Sequence, residues 1–160
     1  MAALTPEDLV EIEAIKAVKY RYIRAVDLRD WDLLATTFTE DACARYSAGK
    51  LSFDGREAII GFLRASMPPR EMLSAHRVHH PEIELTGPDT ATARWALDDV
   101  VIFAASNLMI RGAAYYEDEL VKLDGEWRIR RTGYRRLYEE SLQRDGITLT
   151  DDWWAEGVTP

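Results

Sequence analysis

From Leu73 onward the apolar residues of this chain stop recurring every three or four positions and begin to alternate, over four long segments: His76 to Leu85, Thr90 to Phe103, Met109 to Leu123 and Trp127 to Tyr138. A period of two is the signature of a strand with one face buried and the other in water. The breaks between segments are short and made of turn residues, Gly87-Pro88-Asp89, Ala105-Ser106-Asn107 and Asp124-Gly125. Asp-Gly favours the two-residue turn with both φ angles positive, which matches the twist of the flanking strands. Four strands joined in this way form an antiparallel sheet, and its apolar face needs a cover.

The cover comes first in the sequence. Thr5-Pro6-Glu7-Asp8 combines a hydroxyl cap, a proline at the first helical position and acids near the positive end of the helix dipole. Ile12, Ile15, Tyr22 and Val26 then repeat at helical spacing, with Val18 nearby, which predicts a helix to about Leu28. Asp30 caps a second, Trp31 to Phe38. A third opens at Asp54-Gly55-Arg56-Glu57, runs to about Ala65 on Ala58, Ile59, Phe62 and Leu63, and is ended by Met67-Pro68-Pro69. Between them Cys43 to Tyr46 reads as a short strand and Gly49 to Phe53 as its return. The layout is α+β: three N-terminal helices packed on a curved antiparallel sheet, enclosing an apolar pocket.

With 160 residues and neither a repeat nor a linker, the chain is expected to be one domain over 1–160, with 141–160 as a C-terminal tail. A formal charge of −8 argues against nucleic acid, whose phosphates need a basic face. No apolar run approaches a membrane span, and Met1 to Asp8 carries no signal-peptide pattern, so a cytoplasmic, non-membrane protein is expected. The single cysteine, Cys43, rules out an internal disulfide and reads as a buried thiol. The sixteen aromatic residues can line a pocket as readily as fill a core.

All three histidines fall within Ser74-Ala75-His76-Arg77-Val78-His79-His80-Pro81. Alternation puts His76 and His80 on one face and His79 on the other, while Pro81 marks a bulge that weakens the assignment beside it. His76, four residues from the proline, is the more secure inward candidate, and His79 and His80 read as wall or structural residues. Side chains so spaced along a strand do not converge on one zinc ion without a turn, so no metal is expected. In the next strand Trp95, Leu97, Asp99, Val101 and Phe103 share a face, which makes Asp99 an acid on a pocket-lining apolar stripe. The alternative turns Asp99 outward beside Asp98 at a bulge.

Tyr22 and Asp27 stand near the end of the first helix, where spacing alone favours a core tyrosine and a capping acid over a hydrogen-bond donor and an acid of a site. In the last strand Arg135 shares parity with Trp127 and Ile129. A bulge at Gly133 would bring Arg136 inward instead; both arginines facing solvent is the other reading.

The run Ile12-Glu13-Ala14-Ile15-Lys16, then Tyr22 with Asp27 and Trp31-Asp32, the histidine strand and the Gly133-Tyr134 ending resemble the SnoaL-like branch of the NTF2-like superfamily. Within that branch the likeness is to the bile-acid 7-alpha-dehydratases. It spans Glu11 to Leu149 and includes Gly49-Lys50-Leu51, Ser66-Met67-Pro68, Pro81-Glu82-Ile83 and Tyr138-Glu139-Glu140.

The resemblance implies an NTF2-like cone and a homo-oligomer, trimer or dimer. It also implies an active site of Tyr22, Asp27, His76, Asp99 and Arg136 with a small hydrophobic substrate. The activity it implies is a cofactor-independent dehydratase (lyase) or isomerase on a steroid-like or polycyclic hydroxy-ketone. A polyketide cyclase and a non-catalytic ligand-binding or protein-interaction module remain open. The tail Asp151-Asp152-Trp153-Trp154, a shorter turn at Ser106-Asn107 and an added residue before His76 depart from the pattern.

Overall fold

The computed structural model describes residues 4–155; Met1–Ala3 and the last five residues of the expected tail lie outside the described residues. Helix α1, Pro6–Leu28, starts as its sequence dictates: Thr5 Oγ1 accepts from the Asp8 amide, and the Asp8 carboxylate accepts from the Thr5 amide. Such a reciprocal cap contributes about 1 kcal/mol. The helix ends at Arg29, held at φ 61°, and buries Ile15, Val18, Tyr22, Ile23, Ala25 and Val26 on the sheet side.

Helix α2, Trp31–Thr36, is shorter than its apolar spacing suggests, because Phe38 belongs instead to strand β1, Phe38–Tyr46. Thr37 closes the helix by donating from Oγ1 to the Leu34 carbonyl, and its own carbonyl accepts from the Ile129 amide. A 3-10 turn over Ser47–Gly49 leads into β2, Leu51–Asp54, followed by α3, Arg56–Ser66.

The alternating region forms β3, Met72–Gly87, β4, Thr90–Phe103, β5, Leu108–Leu123, and β6, Glu126–Gln143. The last runs three residues into the segment expected as tail. Asp124 and Gly125 both have positive φ, 53° and 81°, as the dipeptide implied. All six strands form one sheet in the order β2-β1-β6-β5-β4-β3. It is antiparallel except where β1 runs parallel to β6, a pairing that the sequential hairpins alone did not foretell. Gly133 permits it: a Cβ there would lie 2.4 Å from the Arg45 carbonyl oxygen.

The bulge that sets the parity of β6 lies elsewhere than expected. Leu120 pairs with Ile129 and Glu119 with Arg131, so Arg130 is the extra residue, and Gly133 is not. Trp127 and Ile129 before the bulge and Thr132, Tyr134 and Arg136 after it therefore share the inner face, while Arg135 turns out. The expected bulge at Pro81 is present, with the register shifting between His79 and Glu82 and His80 at φ 48°. No described helix is long and apolar enough to cross a membrane.

Candidate active site

Helices α1 and α3 and the curved sheet border a cavity of about 260 Å³. Leu63, Met67, Met72, Leu97, Val101, Phe103 and Ile110 supply its apolar wall, and Tyr22, His76, Asp99 and Arg136 its polar one. A larger hollow of about 760 Å³ lies over charged residues including Arg45, Arg94, Glu117 and Arg131; Arg94 and Glu117 are ion-paired there at 3.2 Å.

Two elements bring His76 and Asp27 together: β3 carries the imidazole past the C-terminal turn of α1. His76 Nδ1 is 2.6 Å from Asp27 Oδ1, and the His76 backbone amide donates to Asp27 Oδ2 at 2.8 Å. A carboxylate only accepts, so Nδ1 carries the hydrogen, and in the neutral imidazole Nε2 then presents its lone pair to the cavity. Asp99 is the cross-strand partner of His76, but its Oδ2 is 3.9 Å from Nε2, too far for a hydrogen bond. Both Asp99 oxygens instead accept from Arg136, at 2.5 and 2.8 Å. This fork holds a carboxylate that is only 4% exposed, and its charge raises the affinity of Arg136 for its proton against the opposing effect of burial. Gly112, between Asp99 and Glu139 in the row, leaves room for the fork; a Cβ would stand 3.2 Å from Arg136 Nη1.

Opposite lies a group of phenols. Tyr22 and Tyr46 share a hydroxyl hydrogen bond of 3.0 Å, with Tyr116 edge-on to Tyr22 and Tyr134 stacked on Tyr46. Burial pushes Tyr22, Tyr46 and Tyr116 well above the ordinary phenol value, so each remains a hydrogen-bond donor. Beneath them Lys19, fully buried, lies 3.5 Å from the centre of the Tyr116 ring and 2.8 Å from Asp118. Burial lowers the Lys19 pKa and the Asp118 charge opposes that fall.

Leu97, Val101 and Phe103 line the cavity where alternation puts them. Two residues expected on its wall do not. Trp95 is inward but too deep, its Nε1 donating to Asp118 behind the phenols at 2.9 Å. His79 is on the opposite face from His76, paired with Asp98 at 2.9 Å and half exposed. His76 thus diverges from His79, whose ring centre lies 4.9 Å from that of His80, and among the described residues no group of three His, Cys, Asp or Glu side chains is placed to hold a metal.

The spacing arguments missed Tyr46, Tyr116, Arg29 and Ser74. Ser74 shares parity with His76 and so was legible; its hydroxyl donates to Asp27 at 2.9 Å.

The SnoaL-like domain family matches residues 7–133. The chain belongs to that family. Its fold is similar to a scytalone dehydratase-like protein from Novosphingobium aromaticivorans, with TM-score 0.77 and 21% identity, covering 91% of this chain and 100% of that one. It is also similar to hexachlorocyclohexane dehydrochlorinase LinA-type3 from Novosphingobium barchaimii, with TM-score 0.78, 22% identity and coverage of 90% and 97%. A protein of unknown function from Mycobacterium tuberculosis aligns at TM-score 0.71 and 29% identity, over 84% of this chain and 78% of that one. As a SnoaL-like domain, the chain presents a pocket of the kind that takes small hydrophobic molecules.

Proposed function

We propose that this SnoaL-like protein is a lyase that eliminates water from a hydroxy-ketone of polycyclic, steroid-like character, using acid/base groups of the protein and no cofactor. The observation that carries the reading is His76, with Nδ1 anchored on Asp27 and Nε2 free toward an apolar cavity with phenol donors across it. Two structural neighbours whose names denote eliminations support it.

In this reading Nε2 removes a proton from a carbon activated by the ketone, and the electron pair moves onto the carbonyl oxygen, which Tyr22 holds by a hydrogen bond. The pair then returns to form the carbon–carbon double bond as the hydroxyl leaves. His76, now protonated, gives its proton to that hydroxyl, releasing water and restoring the imidazole. Asp27 orients and charge-balances the imidazolium, and Arg136 holds Asp99 beside it. The same reading takes the chain as one domain over 1–160 working as a dimer or trimer in the cytoplasm.

The test is a panel of β-hydroxy-ketones from bicyclic to steroidal, followed by enone absorbance, with the His76→Ala variant alongside. Enone formation that falls at least a hundredfold in the variant supports the proposal. Turnover at an unchanged rate overturns the role of His76, and tight binding without turnover by the wild type makes the chain a binding module.

A further inference from the structure

The segment after β6 does not hang free. Its start is tied to the β4–β5 turn, where the Arg144 amide donates to the Asn107 carbonyl and Asn107 Nδ2 donates to the Arg144 carbonyl, at 2.9 and 2.8 Å. Further on Trp153 is exposed, but Trp154, ten residues after Arg144, is only 7% exposed. Arg70 donates to the Trp154 carbonyl, and the Trp154 amide donates to Asp152 Oδ1 at 2.8 Å. The indole lies over the guanidinium of Arg29, 5.4 Å from ring centre to Cζ, within cation–π range.

Arg29 is the left-handed residue that ends α1, and its guanidinium is the hub of the turn between α1, α3 and β3. It donates to the carbonyls of Met67, Val26, Asp27 and Met72, and from Nη1 to Ser74 Oγ at 3.0 Å. Guanidinium has donors only, so Ser74 Oγ must accept from it, and the one hydroxyl hydrogen is left to point at Asp27 Oδ1. Asp27 Oδ1 then receives Ser74 on one side and His76 Nδ1 on the other. Each link has one permitted donor direction, and together they set where the Asp27 carboxylate sits, while the carboxylate, as an acceptor only, dictates which imidazole nitrogen carries the hydrogen.

We propose that Trp154, Arg29 and Ser74 are positioning residues for the His76–Asp27 pair, the C-terminal segment acting from behind the site by clamping Arg29. None of the three lines the cavity. Among the described residues the carboxylates within 4 Å of the His76 ring are Asp27 on α1 and Asp99 on β4, the latter paired with Arg136 on β6, and Arg24 of α1 lines the hollow behind His76 and Asp27. Removing Trp154 opens one face of Arg29 to water, loosens the serine hydroxyl and lets the imidazole sample its other tautomer.

The inference rests on His76 being the base of the proposed elimination, yet its test reads the free protein. Imidazole nitrogen NMR on the full chain reports the tautomer directly, and with three histidines the His79→Gln and His80→Gln variants assign the His76 signals. The wild type is expected to hold the Nδ1-protonated form. In Trp154→Ala and Ser74→Ala the two nitrogen shifts should move toward each other, and Trp154→Phe should restore the separation. With a substrate in hand, Trp154→Ala should lower kcat by about tenfold at nearly constant KM.

A folded Trp154→Ala protein with unchanged His76 signals overturns the role of the C-terminal segment. Unchanged signals in Ser74→Ala overturn the whole relay, including when Trp154→Ala fails to fold. Absence of turnover on every hydroxy-ketone, with the tautomer shifts present, counts against the elimination and leaves the relay standing.

Discussion

Asp99 stands directly across the β3–β4 register from His76, yet both its oxygens are taken by Arg136, 37 residues further along the chain. The carboxylate nearest the imidazole by strand pairing is therefore not the one that orients it. Asp27, delivered by a helix, does so.

Removing Arg136 leaves the buried Asp99 carboxylate without its hydrogen-bond partner, whereas Arg136 also pairs with Glu139 at 3.2 Å. Arg136→Ala is expected to cost about 3 kcal/mol of stability, and Asp99→Asn with Arg136→Gln appreciably less. Urea unfolding of the two variants measures the difference; equal losses would mean that burial of the charge is not the cause.

Asp27→Asn tests orientation separately from stability. An amide can place its NH₂ toward Nδ1 and so favour hydrogen on Nε2, the tautomer that cannot accept a substrate proton there. Activity on an identified hydroxy-ketone should fall by about two to four orders of magnitude, with the unfolding midpoint changed far less than in Arg136→Ala.

The buried phenols give the fold an alkaline limit. Tyr22, Tyr46 and Tyr116 hold their protons in the folded state above the ordinary value of 10.0, whereas the unfolded chain releases them near it. Their contribution is fully present below pH 10 and is lost as the pH rises above it, at up to about 1.4 kcal/mol per pH unit for each group. Lys19, whose pKa is lowered on folding, works in the opposite sense over its own range. Urea unfolding from pH 8 to about pH 11 should show the decline, and Tyr46→Phe should flatten it.

Gly112→Ala should disturb the site as well as the sheet. The added methyl would stand 2.5 Å from the Tyr138 carbonyl oxygen, a backbone atom, so the strands must shift, at a cost of about 1–3 kcal/mol. The same shift moves Arg136 relative to Asp99. Gly133→Ala crowds Arg45 at the β1–β6 junction instead, so its main readout is the unfolding midpoint.

The helices and hairpins were legible because each rests on local chemistry: the Thr5 cap, the Asp124-Gly125 turn, the alternation through β4. Asp99 and His76 were placed on the inner face by parity alone. Parallel pairing of β1 with β6 was not legible, since it joins segments more than eighty residues apart and depends on a close approach at Gly133. Trp95 was assigned to the right face but the wrong depth, because alternation orders side chains across a sheet and says nothing of what lies behind them. Arg29 carried no sequence signal of its role; only the folded turn shows a left-handed residue whose side chain reaches three elements.

The bulge at Arg130 has one more consequence. Because that residue pairs with nothing on β5, deleting it would leave Trp127 to Arg136 in unbroken alternation, with Trp127, Ile129 and Arg136 still facing inward. Flattening the bulge without a deletion would present Arg135 to the cavity instead. The strand thus tolerates a change of length at a place where it does not tolerate a change of phase, and two adjacent arginines mark the two frames in which it could be read.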